Sequence, residues 1–224
     1  MTGTITVFAA ASLQDAFTSL GKKFEAEHPG SKVVFNFGPS SGLAQQIGQG
    51  APADVFASAS TKTMDQVVTG GDATEPTDFA ENTMEIAVPP DNPAGVRAVA
   101  DLAMKGVKVA LCQADVPCGV TAAKVFQNAH LTVTPVTQEV DVKAVLSKVT
   151  LGEVDAGVVY VTDVRAAGGK VKGIEIADDV NAFTTYPIAA LTGSENKRTA
   201  AAFVDYVLSP KGAAALTAAG FRTP

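Results

Sequence analysis

With no tryptophan, two histidines and two cysteines in 224 residues, the sequence lacks most of the side chains that carry chemistry. His28 and His130 leave few candidates for a general base, which hydrolysis or group transfer would need. Both are expected to be exposed. Cys118 has no histidine beside it to make a thiolate nucleophile. Cys112 and Cys118 stand close in sequence, but two thiols make no zinc site without further ligands, so no directly coordinated metal is expected. There is no Gly-x-Ser-x-Gly elbow, Walker loop, His-Glu-x-x-His or dinucleotide fingerprint. No enzyme and no cofactor are therefore expected. Basic residues are also in deficit: 17 Lys and Arg against 23 Asp and Glu give a net charge of −6. That balance argues against nucleic acid and against acidic membrane surfaces. No run approaches the roughly 20 apolar residues that span a bilayer.

What is present is ordinary globular composition, 46% hydrophobic and 18% charged, enough for one large domain or two small ones. Ile5 to Ala9 reads as a strand. Leu13, Phe17, Leu20 and Phe24 follow at helical spacing and stop at His28-Pro29-Gly30. Val33 to Phe37, a helix beginning near Leu43, Asp54 to Ala57 and a helix from a Thr61 cap through Val68 continue a βαβαβα rhythm. This predicts a parallel sheet covered by helices. A second unit offers strands at Glu85–Val88, Val107–Leu111, Ala156–Val161, Ile174–Ile176 and Phe183–Leu191. Its helices are expected at Thr121–Asn128 and Val142–Leu151, and two more helices close the chain before and after Pro210. The opening Met1-Thr2-Gly3 reads as a start placed before a mature sequence, with any export signal or lipid anchor removed.

Four places deliver a small residue to a predicted helix start: Ala11-Ser12-Leu13, Pro39-Ser40-Ser41-Gly42, Pro117-Cys118-Gly119-Val120 and Val140-Asp141-Val142. Helix starts expose backbone N–H groups and the positive dipole end, which suits an anion. In open α/β sheets they gather at strand carboxyl ends. Taken singly, a serine there is most often an N-cap. Asp141 reads as such a cap. Tyr160, ending an apolar strand, reads on its own as a core residue with its hydroxyl at the surface. The two cysteines are either a local disulfide, if the chain lives outside the cytoplasm, or two thiols with one buried.

Several segments, in order, resemble periplasmic molybdate-binding proteins of ABC importers. They are Ile5-Thr6-Val7-Phe8-Ala9-Ala10-Ala11-Ser12-Leu13, Ser40-Ser41-Gly42-Leu43-Ala44-Gln45-Gln46-Ile47 and Gly50-Ala51-Pro52-Ala53-Asp54-Val55-Phe56-Ala57-Ser58-Ala59. Val116-Pro117-Cys118-Gly119, Glu139-Val140-Asp141-Val142, Gly157-Val158-Val159-Tyr160, Tyr186-Pro187-Ile188 and Gly220-Phe221 complete the set. The resemblance implies an α/β, two-lobed type II periplasmic-binding-protein fold, each lobe a mostly parallel sheet flanked by helices, joined by two crossover strands. Residues 1–82 and 186–224 would form one lobe and 83–185 the other, with the ligand in the cleft and closure by hinge motion. It also implies five ligand positions. Ser12 and Ser40 would give hydroxyl and backbone N–H, Cys118 and Val142 backbone N–H, and Tyr160 its phenol. Relatives often carry alanine at the place of Cys118, and a small polar residue at that of Pro39, which here removes one backbone donor.

None of the five is a carboxylate. Molybdate, tungstate and sulfate, fully ionised near neutral pH, need donors only, whereas a selective phosphate site needs an acceptor for the remaining proton. The resemblance favours molybdate, with tungstate as an equal ligand and sulfate or another tetrahedral oxyanion as the alternative. It further implies a membrane permease as partner, a monomer, and an extracytoplasmic location.

Overall fold

The computed structural model describes residues 2–223; Met1, read above as an added start, lies outside them. The chain divides into two compact units, residues 1–81 with 185–224, and residues 82–184.

The first unit begins with β1 (Gly3–Ala10), a 3-10 turn at Ala11–Leu13 and α1 (Gln14–Glu27). β2 (Ser31–Gly38), α2 (Ser40–Gly48), β3 (Val55–Ala57) and α3 (Thr61–Thr69) follow. The chain leaves this unit within β4 (Thr77–Val88) and returns within β9 (Phe183–Ala190), then closes with α7 (Lys197–Leu208) and α8 (Pro210–Ala219). β1 pairs in parallel with β2 on one side and β3 on the other, and β3 pairs antiparallel with β9. The apolar face of α1 explains its existence: Leu13, Phe17, Leu20 and Phe24 are all fully buried. Burying each such side chain is worth about 1.5–3 kcal/mol. Phe17 meets Phe35 and Phe79 in tilted ring contacts, and Phe24 meets Phe203 and Tyr206 edge-on. Much of the chain's small aromatic content is therefore spent on this one core.

The Gly50–Ala59 segment owes its chemistry to architecture. Asp54 accepts the Thr6 N–H at 2.7 Å and the Ser194 hydroxyl at 2.5 Å, so one buried carboxylate clamps β3 to β1 and to the turn after β9.

In the second unit the order is β4, β5 (Val109–Cys112), α4 (Pro117–Asn128), β6 (Thr137–Glu139), α5 (Val142–Thr150), β7 (Ala156–Tyr160), α6 (Val161–Ala167) and β8 (Lys172–Glu175). β5 runs parallel to both β6 and β7, while β4 pairs antiparallel with β7 and with β8. Valine, isoleucine and alanine dominate this core, centred on Ile86, Val109, Val145, Val149 and Val158. Gly157 is required there, because a Cβ would stand 2.7 Å from Val145 and 2.9 Å from Val149 on the overlying helix.

Several local expectations are corrected. α3 is capped by Ser60, whose hydroxyl accepts the Thr63 N–H, and not by Thr61. β4 starts at Thr77, eight residues before Glu85, and α4 starts at Pro117 rather than Thr121. Val161 opens a helix instead of ending a strand. β4 and β9 introduce antiparallel pairing that the βαβ rhythm did not announce. His130 is exposed, but His28 is half-buried, its ring edge-on to Phe24 at 4.4 Å.

Candidate functional site

The residues singled out from the sequence fall into two groups, one in each unit. In the first unit the register of β1 and β2 pairs Ala10 with Gly38, and that of β1 and β3 pairs Ala9 with Ala57. Two residues beyond each of Ala10, Gly38 and Ala57 stand Ser12, Ser40 and Ala59. Parallel pairing therefore sets all three at the carboxyl ends of adjacent strands, on one edge of the sheet.

Neither serine spends its hydroxyl on capping. The 3-10 turn and α1 have no side-chain cap, and α2 follows Pro39, also without one. Ser40, 1% exposed, instead accepts the Ala59 backbone N–H at 3.0 Å. A backbone N–H can only donate, so the Ser40 O–H proton remains available to another acceptor. Ser12, also buried, lies 2.8 Å from the Tyr186 hydroxyl, with either oxygen able to donate. Tyr186 is itself fully buried and set edge-on against Phe79 and Phe221. The first bond closing α2 runs from the Leu43 N–H to the Pro39 carbonyl, so the N–H groups of Ser40, Ser41 and Gly42 precede the helical ladder.

In the second unit the parallel strands β6, β5 and β7 likewise bring their carboxyl ends to one edge. After β5 the chain turns back into α4, where Cys118 is the second residue and forms a disulfide with Cys112, the last residue of the strand. Both cysteines are buried. The turn is tight: a Cβ on Gly119 would meet the Gln113 carbonyl oxygen at 1.9 Å, so only glycine fits. The first closing bond of α4 comes from the Val120 N–H, which leaves those of Cys118 and Gly119 ahead of the ladder. After β6, Asp141 caps α5 by accepting the Ala144 N–H at 2.9 Å, and Val142 follows as the first helical residue. Tyr160 ends β7 at 1% exposure.

Sequence reasoning missed two side chains next to this second group. Asp163, fully buried, accepts the Tyr160 N–H at 3.2 Å and lies 3.2 Å from the Lys143 ammonium. It missed Tyr186 as the partner of Ser12 as well. Only the Tyr186-Pro187-Ile188 match pointed to that tyrosine, and it assigned no role.

Hydroxyl groups and helix-start N–H groups at strand carboxyl ends can hold a fully ionised oxyanion by donation alone. Among the described residues there is no group of three or more His, Cys, Asp or Glu able to hold a metal ion.

The family model described as bacterial extracellular solute-binding protein matches residues 5–222. A molybdate-binding protein, ModA, of Mycobacterium tuberculosis is 42% identical over 221 residues, covering 98% of this chain and 85% of the relative. The periplasmic molybdate-binding protein of Azotobacter vinelandii has a similar structure, with a TM-score of 0.87 at 20% identity over 98% of this chain and 99% of that one. The sulfate-binding protein SubI of Mycobacterium tuberculosis matches with a TM-score of 0.84 at 18% identity, covering all of this chain and 87% of that one. The fold is that of the type II periplasmic binding proteins. The matched family and relatives are solute-binding proteins rather than enzymes.

Proposed function

We propose that this chain, which belongs to the family of bacterial extracellular solute-binding proteins, captures molybdate and delivers it to the membrane permease of an ABC importer. Tungstate, of nearly the same size and charge, is bound as well. Ser12, Ser40, Cys118, Val142 and Tyr160 are assigned to one oxyanion, the serines and the tyrosine through hydroxyls and all but the tyrosine through backbone N–H groups. The carrier works outside the cytoplasm as a monomer that closes on its ligand; among the described residues no helix is long and apolar enough to cross a membrane.

One observation carries the oxyanion reading. Ser40 is buried, caps nothing, and accepts an obligate donor, so its proton remains available to an acceptor such as a bound anion. Identity to relatives named for molybdate narrows the anion. Sulfate is the second reading, because the same fold occurs in a sulfate-binding protein, although 18% identity speaks for the fold alone.

Calorimetric titration with molybdate, repeated in excess sulfate, tests the choice. Molybdate is expected to bind one to one and to keep its affinity in sulfate. Loss of molybdate affinity in excess sulfate would favour the second reading, and no heat from either anion titrated alone would remove both.

A further inference from the structure

Asp163 is a carboxylate with no exposed surface, three residues after Tyr160, a position assigned to the ligand. A buried anion beside the binding position of a dianion is costly unless it is compensated. The compensation comes from Lys143, whose ammonium lies 3.2 Å from Oδ1 while its side chain is 23% exposed. Lys143 is also the residue after Val142 in α5, and Asp163 sits in the first turn of α6, where its Oδ2 accepts the Tyr160 N–H. The pair thus joins the starts of two helices, each beside a position assigned to the anion.

We propose that Lys143 and Asp163 are positioning residues for the oxyanion: Asp163 holds the Tyr160 backbone at the end of β7, and Lys143 cancels the charge that would otherwise repel the ligand. This rests on the reading of Tyr160 and Val142 as ligand positions. Lys143 acts through Asp163, and neither side chain is asked to touch the anion. The arrangement supplies a rigid anchor at no net charge, which leaves recognition to neutral donors.

The two charges have opposite effects on a bound dianion, and that separates this role from packing. In Lys143→Met the carboxylate loses the ammonium 3.2 Å from its Oδ1, so molybdate affinity is expected to fall at least about tenfold, a change of roughly 1.4 kcal/mol. Lys143→Arg, which restores the cation, is expected to stay within about threefold of the parent. Asp163→Asn keeps an oxygen to accept the Tyr160 N–H and leaves the cation in place, so it is expected to bind molybdate at least as tightly as the parent. The double variant Lys143→Met with Asp163→Asn is expected to return to within about threefold. Molybdate titrations of the parent and these four variants, with an unfolding curve of each unliganded protein, read all of this. Weakening by Asp163→Asn as large as that by Lys143→Met, or full affinity in Lys143→Met, would overturn the proposal. If Lys143→Met does not fold, the Asp163→Asn, Lys143→Arg and double variants still decide it. Absence of binding by the parent would instead count against the proposed function itself.

Discussion

The Tyr186 hydroxyl lies 2.8 Å from that of Ser12, across 174 residues of sequence, and both are buried. A tyrosine returning on β9 thus sets the orientation of a hydroxyl at the end of β1. When Tyr186 donates to Ser12, the serine proton is released for an external acceptor. Tyr186→Phe keeps the ring contacts with Phe79 and Phe221 and deletes only this bond. Molybdate affinity is expected to fall about fivefold, the equivalent of about 1 kcal/mol, with the secondary structure unchanged by circular dichroism.

Removing a donor outright should cost more. A hydrogen bond to a charged ligand contributes about 1.5–3 kcal/mol. Ser12→Ala and Ser40→Ala are each expected to weaken molybdate binding by roughly ten- to a hundredfold in calorimetry. Unchanged affinity in both would remove these serines from the ligand shell.

The Cys112–Cys118 bridge closes the short loop that carries Cys118 and Gly119 into α4. Restraining so small a loop in the unfolded chain stabilises by roughly 2 kcal/mol. Reduction, or the paired change of both cysteines to serine, is expected to lower Tm by several degrees. It should also weaken molybdate binding, because the loop positions the Cys118 N–H. A lower Tm with unchanged affinity would confine the bridge to stability.

Glu85 provides a pH dependence of known sign. Burial pushes its carboxyl above the ordinary value, Glu175 facing it across β4 and β8 adds to the rise, and Arg165 opposes it. A folded value above the unfolded one means that the folded chain holds the proton more tightly. Stability is then lost as pH rises through the folded value. Glu85→Gln is expected to raise Tm at pH 7 and to leave it nearly unchanged at pH 3, well below the ordinary carboxyl value of 4.5, where the glutamate is protonated in the folded and the unfolded chain alike. An equal effect at both pH values would contradict this cause.

Much of the fold was legible because its signals are local. The spacing of Leu13, Phe17, Leu20 and Phe24 announces α1, and all four are fully buried. The first part of β4 was hidden because Glu81, Asn82 and Thr83 interrupt its apolar pattern. Their polar groups are nonetheless held in place, Asn82 donating to Thr162 at 2.8 Å and Glu81 exchanging backbone bonds with Arg222. Helix starts could be read from Ser12, Ser40 and Asp141, and with them the capping role of Asp141, but not the use of the two serine hydroxyls. Asp141 caps its helix, while the two serines turn to partners distant in sequence. Lys143 and Asp163 were unreadable for the same reason: their pairing depends on α5 and α6 lying together, and no motif records it.

The proposed binding of molybdate through donors alone is open to test by thermal unfolding in the presence of different oxyanions. A ligand at about 100 times its Kd stabilises by roughly 2.7 kcal/mol, which moves Tm visibly. Molybdate and tungstate are each expected to raise Tm by several degrees, and sulfate and phosphate to leave it unchanged. A shift with phosphate alone, or with none of the four, would rule out a molybdate site built from donors alone.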